Sequence, residues 1–184
     1  MKLNRLFPRV IAETTNTTFD LLKDINNLKH RPSGSQKWVS NKTYSTFGRD
    51  LGQVPEFLPF LQWQDSQVQM YANELHYTFK KFKCQAWYNI YKKNDYQELH
   101  NHKGFDISTI FMVKGHKDSA YTYFTDFDLE GSPRTIYNED NSAQWKFSFE
   151  PGKLLIFPSF MLHGVSQHDL HDERITVASN YKLT

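Results

Sequence analysis

Two histidines stand two residues apart in His100-Asn101-His102, and this spacing is the strongest local sign of chemistry in the chain. In a β-strand, side chains at positions i and i+2 project from the same face, so both imidazoles can turn toward one metal ion. The neutral ring nitrogen of histidine binds iron, zinc and related metals well. The alternative is a pair of half-exposed strand histidines, and a short motif taken alone favours that interpretation.

A third histidine, His163, follows the sequence PGKLLIFP at residues 151–158. A turn, a buried strand, a break at Pro158 and a histidine at the start of another strand would return His163 to the mouth of a barrel. A core histidine with a satisfied hydrogen bond explains the segment about as well when it is considered alone.

An arginine and a threonine, Arg174 and Thr176, alternate onto the same face of a segment that is otherwise apolar. An unpaired buried charge is costly, so Arg174 needs an anionic partner. The carboxylate of a small diacid would satisfy it through two parallel hydrogen bonds, with the Thr176 hydroxyl as a second donor. The alternative is a structural ion pair with an acid such as Glu150 or Asp172.

The segments that carry these residues alternate from residue 82 onward between short β-rich stretches and turn residues, which is typical of a sandwich or barrel of antiparallel strands. Eight such strands predict a jelly roll. Residues 126–141 are polar and rich in turn formers, and they predict a long loop at the rim. The predicted strands cover residues 82–91, 97–102, 107–113, 120–124, 145–149, 153–157, 163–166 and 174–181.

The first 80 residues have a different pattern. Residues 6–12 predict a strand, whereas residues 17–29 and 55–79 repeat apolar side chains at helical spacing. We therefore expect a mainly β protein with flanking helices (α+β), a double-stranded β-helix (jelly roll, cupin-like) with the N-terminal helices packed outside. We expect a single domain over residues 1–184, with residues 1–80 as support and residues 81–184 as the jelly-roll core.

Composition excludes several classes of protein. The 22 basic and 20 acidic residues give a net charge of +2 and form no basic cluster, so nothing indicates a nucleic-acid partner. Cys84 is the only cysteine, which excludes an intramolecular disulfide and favours a reducing compartment. No apolar run is long enough for a signal peptide or a membrane span, and we expect a cytoplasmic protein. The oligomeric state stays open, with a homodimer among the options.

In their order along the chain, H-x-H, then G-x-L-L-I-F-P with a distal histidine, then R-x-T, these motifs resemble the Fe(II)- and 2-oxoglutarate-dependent oxygenases. More narrowly, they resemble the small oxygenases of bacteria, phages and marine metagenomes, whose pattern is W-x-N, H-x-H, P-G-x-L-L-x-F-P, H and E-R-x-S. The resemblance covers about residues 82–182, and more loosely LFP at 6–8 and WVS at 38–40. The matching positions are Trp87, Asn89, His100, His102, residues 151–158, His163, Glu173, Arg174, Thr176 and Asn180.

The resemblance implies roles for individual residues. His100 and His163 would be iron ligands, and Arg174 would hold the distal carboxylate of 2-oxoglutarate. The residues expected around the rest of this cosubstrate are Thr176, Asn89, Tyr91 and Asn180.

One position departs from the wider superfamily, in which a carboxylate usually completes the ligand set. His102 occupies that place here, and the narrower family shares the second histidine. We therefore expect a site of three histidines, with one negative charge fewer and a possible change in metal preference. Asp106, in the loop to the next strand, is the reserve ligand.

The implied function is a dioxygenase that uses Fe(II), 2-oxoglutarate and O2 to hydroxylate an unidentified substrate, releasing succinate and CO2. The main alternative is a cupin-like jelly roll that binds a metal or a sugar without redox activity. A structural phage or particle protein that lost the activity is a third. Arg174 discriminates between the first two, because an enzyme needs it in the metal cavity and a binding module can leave it in a surface ion pair.

Overall fold

The computed structural model describes residues 9–28, 43–48, 50–125 and 144–184. Within these ranges the strands are short and the helices lie early in the chain, as the two sequence patterns predict. Two 3-10 helices, Leu51–Gln53 and Pro55–Phe57, lead into the longer α-helix. In chain order the elements are β1 (Ala12–Thr15), α1 (Leu21–Leu28), β2 (Tyr44–Ser45), α2 (Leu58–Glu74), β3 (Phe82–Tyr91), β4 (Gln97–His100), β5 (Ile107–Lys114), β6 (Thr122–Thr125), β7 (Gln144–Phe147), β8 (Lys153–Pro158), β9 (Leu162–Val165) and β10 (Arg174–Leu183).

The strands form two antiparallel sheets that face each other. The major sheet has the order β1-β8-β5-β10-β3-β2, and the minor sheet has the order β4-β9-β6-β7. Apolar side chains from both sheets fill part of the space between them, among them Met112, Phe124, Phe149, Leu155 and Phe157. This arrangement is the double-stranded β-helix, so the predicted fold class is confirmed.

The outer face of the major sheet is covered by the two α-helices. Leu21 and Ile25 of α1 and Phe60 and Val68 of α2 join the same buried cluster as the outward side chains of the central strands. A polar contact crosses this interface, because Gln64 donates hydrogen bonds to the hydroxyls of Ser179 (2.8 Å) and Tyr181 (2.7 Å). Of the helices in these ranges, none is both long and apolar enough to span a membrane.

Several predicted boundaries differ from the structure. The strand predicted over residues 97–102 ends at His100, so His102 follows the strand, and the helix predicted over residues 17–29 begins at Leu21. Of the strand predicted over residues 6–12, the described part enters a ladder only at Ala12, which pairs with Ile156 of β8, and this ladder runs on to Thr15. The second helix stops at Glu74 rather than at residue 79, since His76 takes a left-handed φ of 57° that closes the helix. The predicted loop at 126–141 and the motifs at 6–8 and 38–40 lie outside the described residues. The division into one domain stays a prediction.

Candidate metal centre

Three histidines converge between the sheets. His100 ends β4 and His163 lies in β9, where they are cross-strand partners, and His102 follows His100 by two residues. The potential ligand atoms of the three side chains all lie within 4.8 Å of one another. Two nitrogens that share one ion at about 2.0–2.1 Å lie at most about 4.2 Å apart, so small rotamer changes would complete a common site. The three residues are the only such group of histidine, cysteine or acidic side chains within the described ranges.

Hydrogen bonds orient two of these rings. The Nδ1 atom of His100 lies 2.7 Å from the carbonyl oxygen of Glu98, and the Nδ1 atom of His163 lies 2.9 Å from that of Met161. A carbonyl oxygen can only accept, so Nδ1 carries the proton in both rings and Nε2 keeps its lone pair. A hydrogen bond from Nδ1 fixes the orientation of the ring and leaves Nε2 free to bind a metal ion, as in metal sites generally.

Burial keeps the three rings neutral. His163 is fully enclosed, and desolvation lowers its pKa well below the usual value, with the nearby His100 and His102 adding to the effect. Desolvation also lowers the pKa of His100, and it lowers the pKa of His102 to about 3 with a further contribution from His100. Neutral imidazoles are the form that binds a cation, so the cluster is ready for a metal at physiological pH.

The reserve ligand lies elsewhere. The carboxylate of Asp106 accepts a hydrogen bond from the backbone N–H of Leu183 (2.8 Å) and pairs with the Lys182 ammonium (3.2 Å). These contacts secure the end of β10, and Asp106 is not part of the histidine group.

A buried arginine lies in a cavity that the histidines also line. Arg174 has no solvent exposure, its Nε donates to the Ala120 carbonyl (3.2 Å), and its Nη2 donates to the Thr122 hydroxyl (3.0 Å). Its Nη1 is buried without a hydrogen-bond partner. The guanidinium carbon lies 4.9 Å from the ring centre of Tyr91 and 5.1 Å from that of Phe149.

No acidic side chain pairs with Arg174 among the described residues. Glu150 instead pairs with Lys153 at 3.0 Å, so the structural ion pair considered from the sequence is not formed with this acid. Burial raises the pKa of the Tyr91 hydroxyl to about 12 despite the nearby guanidinium, so Tyr91 supplies no counter-charge at neutral pH. Arg174 therefore carries a buried positive charge with a free donor, which a carboxylate would satisfy.

The space around Arg174, which we call the Arg174 cavity, brings together most of the predicted cosubstrate residues. Asn89, Tyr91 and Thr176 line it with the three histidines, and antiparallel pairing sets Tyr91 opposite Arg174 and Asn89 opposite Thr176. The cavity measures about 20 Å³, enough for one water molecule, so a diacid can enter only if lining side chains move.

Sequence analysis missed two polar neighbours of this cavity. Gln97 accepts a hydrogen bond from the Tyr91 hydroxyl (2.5 Å), and Thr122 accepts one from Arg174. Both lie in four-residue strands, and no motif distinguishes them.

One predicted cosubstrate residue lies in a different cavity. Asn180 lines a larger cavity of about 270 Å³, which we call the Asn180 cavity. His100 and His102 also line it. Aromatic side chains that the sequence did not single out, Phe47 and Phe105, share it with Trp87. The histidine cluster thus lies between two cavities with different polar residues.

Comparison with known proteins follows this geometry. The family model described as "Putative 2OG-Fe(II) oxygenase" matches residues 85–180, which include every predicted metal and cosubstrate residue. The search of curated proteins returned no match.

Solved structures share the fold at low sequence identity. A prolyl-4-hydroxylase from Pseudomonas putida is 13% identical with a TM-score of 0.67, and 95% of this chain aligns with 92% of that one. A prolyl hydroxylase from Trichoplax adhaerens, in complex with a peptide of the hypoxia inducible factor oxygen degradation domain, is 12% identical with a TM-score of 0.67, covering 94% and 83%. HygX from Streptomyces hygroscopicus, with nickel and 2-oxoglutarate bound, is 10% identical with a TM-score of 0.62, covering 95% and 83%.

Proposed function

Because the chain belongs to the 2OG-Fe(II) oxygenase family, we propose that its three histidines hold the ferrous ion and that Arg174 binds the distal carboxylate of 2-oxoglutarate. The observation that carries this proposal is the buried Arg174, which has no acidic partner among the described residues and lines the same cavity as His100, His102 and His163. The reaction would convert R–H, O2 and 2-oxoglutarate into R–OH, succinate and CO2.

The three imidazoles are the metal-binding part of the proposal. Nε2 of His100 and of His163 would bind the ion, since Nδ1 is held by a backbone carbonyl in each ring. His102 would complete the set in place of the commoner carboxylate. Three neutral ligands leave the full charge of the ion on the site, which strengthens its attraction for an anionic cosubstrate.

Arg174 would hold the cosubstrate at its other end. A carboxylate on Nη1 would remove the one unsatisfied donor of the guanidinium and supply its missing counter-charge. Thr176, two residues further on the same strand face, offers a hydroxyl beside it. Asn89 and Tyr91 would contact the remainder of the molecule, and movement of the lining side chains would enlarge the cavity to admit it.

The ion and 2-oxoglutarate, when bound, would supply the oxidising chemistry: the cosubstrate provides two of the four electrons that reduce O2, and the substrate R–H provides the other two. The chain itself contributes orientation and exclusion of water. Phe124 and Phe157 pack on the His163 ring, with centroids at 5.7 Å and 4.8 Å, and close that side of the site. A dry, fixed ligand set favours attack on the substrate over loss of the oxidant to water.

The alternative of a binding module without redox activity predicts that Arg174 lies in a surface ion pair. Full burial of Arg174 in the cavity of the histidines argues for the oxygenase instead. We also propose a cytoplasmic location, on the ground that the single cysteine, Cys84, needs no oxidising compartment.

The direct test is visible absorption spectroscopy without oxygen. Addition of Fe(II) and then 2-oxoglutarate to the metal-free protein should produce a metal-to-ligand charge-transfer band. Arg174→Ala should require much more 2-oxoglutarate for the same band, and His163→Ala should give none. A wild-type protein that binds Fe(II) but shows no band at saturating 2-oxoglutarate would contradict the proposal.

A further inference from the structure

The Asn180 cavity has a composition of its own. Its walls are formed by the aromatic rings of Phe47, Trp87 and Phe105. The rings of Phe47 and Trp87 meet edge to face with centroids 4.9 Å apart, and the Trp87 ring also meets His102 at 5.9 Å. These contacts make one apolar surface that leads directly to the histidine cluster.

Asn180 places a polar group in this apolar setting. Its side chain is 1% exposed, and its Oδ1 accepts a hydrogen bond of 2.7 Å from the Ser108 hydroxyl, which also contacts the Ser159 hydroxyl at 2.7 Å. The amide is therefore held in place from one side. Its Nδ2 is buried and has no hydrogen-bond partner. An unsatisfied buried donor costs free energy that an acceptor on a ligand would recover.

The charges around the Asn180 cavity indicate which kind of ligand group would accept a hydrogen bond from Asn180. No acidic side chain lines the Asn180 cavity among the described residues, and the one ionised side chain on it is Lys103, which is exposed at the rim. A ligand with a positive charge would meet the lysine and the amide donor and would find no acidic partner among these residues. A carboxylate would meet a donor and a cation, and its apolar body would lie on the rings.

We propose that the Asn180 cavity receives the substrate to be oxidised, and that this substrate is a small carboxylic acid with a flat or apolar body. The volume of about 270 Å³ is at the lower end for small-molecule sites and fits a molecule of amino-acid size. The Asn180 Nδ2 donates to the carboxylate, Lys103 supplies a cation at the rim, and the rings hold the body beside His100 and His102. The assignment as substrate rests on the proposed oxygenase function, whereas the binding itself does not.

The binding test uses isothermal titration calorimetry with probes that share a skeleton. The probes 3-phenylpropanoate and 4-methylpentanoate are expected to bind the wild-type protein in the presence of saturating 2-oxoglutarate, with 3-phenylpropylamine at least tenfold weaker. Asn180→Leu, which removes the donor at similar size, should weaken binding of the carboxylates at least tenfold. When Arg174→Gln and the wild type are both assayed without 2-oxoglutarate, they should bind the carboxylates with equal affinity.

Matched variants separate a local effect from loss of the fold. Phe105→Ala and Lys103→Ala should both weaken binding, whereas Phe160→Ala and Lys117→Ala, at exposed positions outside the cavity, should not. If circular dichroism shows that Asn180→Leu does not fold, these four variants test the proposal in its place.

The outcomes distinguish this inference from the proposed function. A charge-transfer band with Fe(II) and 2-oxoglutarate but no binding of either carboxylate overturns the inference and leaves the function standing. Binding that is lost in Arg174→Gln but kept in Asn180→Leu also overturns it, because the probe then occupies the Arg174 cavity. Binding that depends on Asn180 without any charge-transfer band supports the cavity as a carboxylate site and contradicts the oxygenase assignment.

Discussion

His100 and His163 lie directly opposite each other across the β4–β9 pair, with their ring centroids 4.3 Å apart. The pairing of two strands of the minor sheet thus sets the spacing of two proposed metal ligands. A backbone carbonyl two residues earlier also orients each ring: that of Glu98 for His100 and that of Met161 for His163. Neither ring therefore depends on the other for its orientation.

We predict that His100→Ala and His163→Ala each lower Fe(II) affinity by at least 100-fold, since each removes a ligand that the other two cannot replace. The matched control is His116→Ala, at an exposed position paired with Asp118, which should bind Fe(II) as the wild type does. Anaerobic titration with a competing chelator measures all three. Wild-type affinity in His163→Ala would show that the ion sits elsewhere.

The third ligand is tested by comparing His102 with Asp106. We expect His102→Ala to lose Fe(II) as severely as His100→Ala, and Asp106→Ala to keep Fe(II) while losing stability, because its carboxylate serves Lys182 and the Leu183 N–H. His102→Asp, which restores the commoner carboxylate, should retain the metal. The reverse pattern, with a mild His102→Ala and a severe Asp106→Ala, would make Asp106 the ligand. Metal titration and thermal unfolding together separate binding from stability.

Arg174→Ala should weaken 2-oxoglutarate binding by about 2–5 kcal/mol, because a buried charge pair would lose one partner. Fe(II) affinity should stay within a few-fold of wild type, because the hydrogen bonds of Arg174 go to Ala120 and Thr122 and not to the histidines. Calorimetry with Fe(II) and with 2-oxoglutarate gives both values. Equal loss of both would indicate collapse of the cavity rather than loss of a carboxylate partner.

Gly164, next to the proposed metal ligand His163, cannot carry a larger side chain without a clash. A Cβ atom at this position would lie 2.6 Å from the Tyr123 hydroxyl oxygen and 2.9 Å from the backbone carbonyl oxygen of Gln97. We expect Gly164→Ala to destabilise the fold by about 1–3 kcal/mol and to lower Fe(II) affinity, because β4 and β9 must move apart.

Chemical unfolding and metal titration measure the two effects of Gly164→Ala. In the double variant with Tyr123→Ala the ring clash disappears and the backbone clash remains, so stability should return only in part. Full wild-type stability in Gly164→Ala would contradict the close approach of the two strands.

Strand alternation predicted that Arg174 and Thr176 share one face of their strand. It did not predict which cavity each residue of that face borders. Arg174, Thr176 and Asn180 share one face of β10, as their even spacing requires. A strand rises about 3.3 Å per residue, so Asn180 lies roughly 20 Å along the strand from Arg174 and borders another cavity. The family resemblance placed Asn180 around the cosubstrate, but the sequence does not show which neighbouring strands and which cavity it borders.

Other features depended on partners that no local pattern contains. The position of β1 follows from its ladder with β8, and the hydrogen bond from Arg174 to Thr122 joins residues 52 positions apart. His100 and His102 were identified by their two-residue spacing, His163 by the turn, strand and proline break that precede it, and Arg174 by its charge within an apolar strand. Phe47 and Phe105 resemble ordinary core residues, and only the geometry assigns them to a cavity wall.

The pairing of His100 with His163, and of Tyr91 with Arg174, joins parts of the chain that are far apart in sequence. Closing such long loops costs entropy before any contact repays it, so proteins dominated by distant contacts fold slowly. No short fragment holds all three proposed ligands, so an ion bound by them could not act as an early nucleus that gathers the chain. Metal loading is therefore expected after the sheets have formed, and it would slow unfolding rather than speed folding.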